Sequence, residues 1–186
     1  GLGGLLCIPV GERFTHCVSG RLPTACPRCS LRDPAEVLAD TLAAMERGMR
    51  AAAPDADLIA WPYGQLVVWG PDATRAAAGR LPPGVILQHN FETGGKVRQL
   101  GRWRPLWDYW LSWPGPSPVF ADCARAVRRN GGRMFAKLQT SCSHEVATTQ
   151  FVPVPGLLYR KYRRMHALGV SGVVQGWYFG NYPSVM

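Results

Sequence analysis

The sequence predicts an α/β fold of parallel strands joined by crossover helices. Three observations predict it: short runs that stay apolar without alternation, capped helical stretches between them, and polar and aromatic residues gathered at the C-terminal end of each run. Strands of that kind are buried on both faces and need helices to cover them.

The first run, Leu5-Leu6-Cys7-Ile8-Pro9-Val10, reads as a buried strand that ends at Gly11-Glu12. Asp33-Pro34-Ala35-Glu36 then supplies an N-cap, a proline at the first helical position and a glutamate at the third. The helix it starts carries Val37, Leu38, Leu42, Met45 and Met49 at three- and four-residue steps and stops at Pro54-Asp55. Leu58-Ile59-Ala60-Trp61 is the second strand, and a short helix over 72–79 leads to the third, Val85-Ile86-Leu87-Gln88-His89. The segment 94–116 is aromatic and punctuated by Gly and Pro, so a long loop insertion is expected there. Ser117-Pro118 starts a helix running to Gly131, Met134 to Gln139 is the fourth strand, Pro155 opens a helix to Leu168, and Val170 to Trp177 is the fifth strand.

Five strands and four helices suit a doubly wound sheet or the C-terminal part, about strands 4–8, of a (β/α)8 TIM barrel. The strand-end chemistry and the absence of a Gly-rich phosphate turn after the first strand favour the barrel. Residues 1–186 are then expected to be a partial TIM-barrel domain, with the missing N-terminal half of the same barrel as its partner. The two unpaired sheet edges would be an aggregation hazard.

Composition fits a chain that buries a core: 47% hydrophobic, 18% charged and a net charge of +9. No uncharged apolar run approaches the roughly 18 residues that span a bilayer, so no membrane partner is expected and the protein reads as soluble, cytoplasmic or secreted. The basic clusters Arg125, Arg128, Arg129 and Arg133, and Arg160, Lys161, Arg163 and Arg164, have helical spacing and read as solvated faces. With no zinc-finger, RRM or KH signature beside them, no nucleic-acid partner is expected.

Three carboxylates lie at or beyond strand ends. Glu12 follows the first strand, Glu92 the third and Glu145 the fourth. In barrel terms Glu12 ends strand four and Glu145 strand seven, positions that suit an acid/base and a nucleophile. Glycoside hydrolysis needs one carboxyl kept protonated and one ionised. Glu12 reads as the acid, Glu145 as nucleophile or base, and Glu92 as the substitute. Trp61, Tyr63, Trp177, Tyr178 and Tyr182 could stack on sugar rings, while His89, Asn90, His144 and Asn181 could bond hydroxyls.

The run Gly11-Glu12-Arg13-Phe14-Thr15-His16-Cys17, the Cys26-Pro27-Arg28-Cys29 knuckle, Leu58-Ile59-Ala60-Trp61 and the terminal run from Gly176 to Pro183 resemble bacterial glycoside-hydrolase-like barrels related to the family-20 β-N-acetylhexosaminidases. Where that family carries an adjacent Asp-Glu pair, this chain has Gly11-Glu12. The resemblance implies a carbohydrate substrate and a hydrolase acting on O-glycosyl bonds, without a catalytic cofactor. A non-catalytic carbohydrate-binding barrel and a zinc-stabilised interaction domain are the alternatives.

Cys17, Cys26 and Cys29, with His16 adjacent, have the spacing of a structural zinc site, with Cys142 as an alternative fourth ligand. A disulfide with a free thiol, or simple packing, accounts for the same spacing. Cys7 and Cys123 sit in apolar runs and read as buried thiols. His144-Glu145 lacks the second histidine of a His-Glu-x-x-His metalloprotease, and no His-x-Glu precedes the knuckle as a zinc deaminase requires.

Overall fold

The computed structural model describes residues 3–12, 14–140, 145 and 152–175. In chain order the elements are β1 (Gly4–Cys7), α1 (Pro34–Ala52), β2 (Asp57–Ala60), α2 (Gln65–Ala78), β3 (Val85–Asn90), β4 (Lys96–Gln99), β5 (Arg102–Pro105), α3 (Pro118–Arg129), β6 (Met134–Leu138), α4 (Pro155–Ala167) and β7 (Gly172–Gln175). A short 3-10 turn, Cys29–Leu31, precedes α1.

The helices start where local chemistry satisfies their first amides. Asp33 accepts a hydrogen bond from Ala35 N–H and Pro34 opens α1, as the capping pattern predicts. Ser117 Oγ accepts from Phe120 N–H at 3.1 Å and caps α3. The second helix begins at Gln65 rather than 72, and it is kinked at Gly70-Pro71, where Gly70 has φ 80. Pro71 lacks an N–H and clashes with the turn before it, so only the part beyond it has an unbroken helical pattern in the sequence.

Five strands form one sheet in the order β1-β2-β3-β6-β7, and β4 and β5 form a separate two-stranded sheet. The pairs β1–β2, β2–β3 and β6–β7 are parallel, in registers that set Leu5 beside Leu58, Ile59 beside Ile86 and Ala136 beside Val173. Every residue of β3 is buried, as a central strand requires.

This architecture corrects the expected C-terminal part of a TIM barrel. A barrel closes when its first and last strands pair at the proper tilt and shear, with eight strands in this class. Among the described residues a five-stranded sheet keeps β1 and β7 as its edges, four α-helices accompany it, and an antiparallel hairpin stands outside it. Polar residues at strand C-termini did not discriminate, because α/β sheets that do not close also bind ligands there. The edge strand β1 is not buried either: Leu5 is 50% and Leu6 40% exposed.

The chain divides into two compact units, Gly1–His89 with Asp122–Met134, and Asn90–Ala121 with Phe135–Met186. The first buries Val37, Leu38 and Leu42 of α1 together with Leu58 and Ala60 of β2 and all three aliphatic residues at the start of β3. Its surface is laced by exposed pairs such as Arg32–Asp40 and Arg125–Asp122. The second buries Phe91 and Phe120, whose rings meet edge-on at 5.1 Å. No described helix is long and apolar enough to cross a membrane.

Candidate functional site

In the second unit four charged side chains are buried together. Glu92, two residues beyond β3, and Lys161, midway along α4, are fully buried with Lys161 Nζ 2.8 Å from Glu92 Oε1. The same ammonium donates to the carbonyl oxygen of Trp110 at 2.8 Å. Lys137, inside β6, donates to Asp108 Oδ1 at 2.9 Å and lies 3.4 Å from the centroid of the Tyr109 ring. Asp108 Oδ1 also accepts from Tyr109 N–H, and Tyr109 holds a left-handed backbone at φ 66.

Burial costs charged groups most. It holds the Glu92 carboxyl above the ordinary carboxylate range, against the pull of Lys161 and Lys137, and it depresses the Lys137 ammonium. Glu92 Oε2 and Asp108 Oδ2 are buried and without a hydrogen-bond partner among the described residues.

Glu145 is placed differently. Ser112 N–H donates to its Oε2 at 2.9 Å and the Ser112 hydroxyl donates to its Oε1. It is half-buried, and Ser112 lies between two half-buried tryptophans, Trp110 and Trp113. One short segment therefore joins the carboxyls: Lys161 links Glu92 to the Trp110 carbonyl, and two residues later Ser112 holds Glu145.

The other sugar-site expectations fall as follows. Glu12 is exposed in the first unit, on a turn where Gly11 has φ 98 and donates from its N–H to Ser19 O. That turn needs glycine, because a Cβ at Gly11 would run into the Gly64 backbone. Trp61 is buried with its ring edge-on to Tyr63 at 5.0 Å, a core contact rather than an open platform. His89 and Asn90 are buried at the end of β3, with Asn90 Nδ2 donating to Thr93 Oγ1 at 3.3 Å. His144, Trp177, Tyr178, Asn181 and Cys142 lie outside the described residues.

Asp108, Ser112, Trp113, Lys137 and Lys161 were not singled out from the sequence as site residues. Lys161 was read into a solvated basic face, but it occupies the buried stripe Leu158, Lys161, Met165 of α4. That three- and four-residue spacing was the available signal.

In the first unit Cys17, Cys26 and Cys29 bring their sulfurs within 4.8 Å of one another, a cluster that could hold a metal ion. The knuckle after Cys26 folds so that the Cys29 and Arg28 amides donate to its sulfur, which lowers its thiol to about 7, while the hydrogen bonds of Cys17 to Cys26 and Cys29 raise Cys17 to about 11. His16 is not part of the cluster; its Nδ1 lies 3.3 Å from Ser19 Oγ, and burial lowers its pKa. None of the five described cysteines is in a disulfide. Burial raises the Cys7 thiol to about 11 and the Cys123 thiol to about 12, in keeping with inert packing.

No family model matches the chain, and no curated protein or solved structure matches it significantly.

Proposed function

We propose that the chain hydrolyses O-glycosidic bonds at a site in its second unit centred on Glu145, the reading that its resemblance to glycoside-hydrolase-like proteins also suggests. The observation that carries it is the Glu145 carboxylate, half-buried and fastened to Ser112 between Trp110 and Trp113. A carboxylate held in place by a backbone N–H and a hydroxyl is one component of a sugar-cleaving site. Glu145 acts as nucleophile or base. Glu92, whose carboxyl burial holds above the ordinary range, serves as the acid; Glu12, the acid expected from the sequence, lies in the first unit. The reaction requires one carboxyl protonated and one ionised. Replacing Glu145 with glutamine is expected to abolish release of the aryl group from an aryl glycoside panel while the thermal melt is unchanged. Glu92→Gln is expected to lower the same rate, and a wild-type rate in Glu92→Gln overturns its role as the acid.

A structural zinc in the first unit is supported by a separate observation, the three gathered thiols. Zinc bound by three thiolates would draw sulfurs now within 4.8 Å to about 3.8 Å apart, a modest contraction. Cys17, Cys26 and Cys29 would hold the ion and a fourth ligand would complete the tetrahedron. Such an ion would tie Cys17 to the Cys26–Cys29 knuckle that precedes α1. One zinc per chain by elemental analysis and a lower melting temperature after chelation are expected; a metal-free chain that melts identically with and without chelator overturns it.

A further inference from the structure

The hairpin formed by β4 and β5 is the least covered element described, with β5 exposed along its whole length. Its register places Lys96 opposite Pro105 and Arg98 opposite Trp103 on one face, and Arg104 and Arg102 on the other. Trp103 is 68% exposed, and none of the hairpin's four basic residues pairs with a carboxylate among the described residues. In the first unit, by contrast, Arg32, Arg80, Arg125 and Arg133 pair with Asp40, Asp33, Asp122 and Asp57.

This ribbon is held firmly at its feet. Glu92 stands four residues before Lys96 and Asp108 three residues after Pro105, so the buried contacts to Lys161 and Lys137 fix both ends. Gly94 N–H donates to Leu106 O and Leu106 N–H donates to Gly95 O, closing the stem directly after Glu92. At the tip Leu100 and Gly101 both have positive φ, 49 and 75, the pattern of a two-residue type I′ turn.

We infer that this hairpin is a subsite for an anionic polysaccharide, its Trp103 ring stacking on a sugar face while Lys96 and Arg98 take the carboxylate or sulfate of the same or the next residue. The inference rests on the proposed glycoside hydrolysis and names the substrate class. Arginine matches a planar carboxylate or a sulfate with paired N–H donors, and an exposed indole supplies a flat apolar face. A ribbon that begins four residues after Glu92 can deliver a polymer to the carboxyls of the same unit. An anionic membrane is the weaker partner, because the tip offers one aliphatic side chain, Leu100, and Trp103 lies on the strand among cations rather than at the apex.

Binding of the full chain to polygalacturonate, chondroitin sulfate, neutral dextran, phosphatidylserine vesicles and single-stranded DNA, measured by calorimetry, tests this. Polygalacturonate or chondroitin sulfate should bind and dextran should not; binding of polygalacturonate shows that a carboxylate suffices, and binding of chondroitin sulfate alone assigns the sulfate, since that polymer carries both groups. Trp103→Ala and Arg98→Ala should each weaken binding about tenfold with an unchanged melt, since both side chains are exposed. Glu145→Gln should bind as the wild type does, so hydrolysis can fail while this inference stands. Equal binding by the variants, equal binding of dextran, absent binding of both acidic polysaccharides, or tighter binding of vesicles or DNA overturns it, even where aryl glycosides are cleaved.

Discussion

Glu92 combines a contact to Lys161 with a carboxyl that burial holds high, and the sign of its linkage follows from that direction. Folding favours the protonated form, so its contribution is complete below the ordinary value of 4.5 and is lost as pH rises through the raised value. The wild type should therefore lose stability relative to Glu92→Gln as pH rises from about 4.5 toward neutrality, read from denaturant midpoints at each pH; parallel curves would mean an unperturbed carboxyl. Cys26 gives a second chemical readout. With its thiol at about 7 and that of Cys17 at about 11, iodoacetamide should label Cys26 before Cys17 at neutral pH, and added zinc should protect it. Mass mapping that finds Cys17 labelled first contradicts the cluster. The carboxylates were legible in the sequence because each follows an apolar run. Their partners were not: Lys137 and Lys161 carry the residue type of a solvated face, and only the tertiary packing shows that both are buried against carboxyls.

The helices were legible where capping chemistry is local. Asp33 accepts from Ala35 N–H and is paired with Arg80, contacts that hold its carboxyl below the ordinary range. Asp33→Ala should cost about 1 kcal/mol near neutral pH by chemical denaturation, and because the folded value is depressed, the loss should shrink as pH falls through it. Leu42, fully buried on α1, is the core test for the same element: Leu42→Ala should cost about 2–5 kcal/mol. The hairpin was hidden in 94–116. Leu100-Gly101 is not among the usual turn dipeptides, and an exposed ribbon of alternating Arg, Trp and Lys has no apolar face to mark it as strand. The first half of α2 was missed for the opposite reason, since Gly70-Pro71 reads as a stop when it is only a kink.

Across the molecule, the strand sequence positions were readable and the closure of the sheet was not, because an apolar β-α-β pattern is common to barrels and to sheets with two edges. β1 carries exposed Leu5 and Leu6 on such an edge, so Leu5→Lys should raise the concentration at which the chain begins to associate, measured by light scattering. The basic balance of +9 is likewise distributed by unit: six arginines of the first pair with its acids, while the second carries four basic residues on its hairpin and three exposed ones on α4. The most direct measurement of the proposed activity is the rate of aryl release from aryl glycosides by the wild-type chain and by Glu145→Gln, with thermal melts of both. Turnover by the wild type and its loss in a variant that melts at the same temperature is the result predicted; equal rates in the two, or no turnover of any glycoside by the folded wild type, would contradict it.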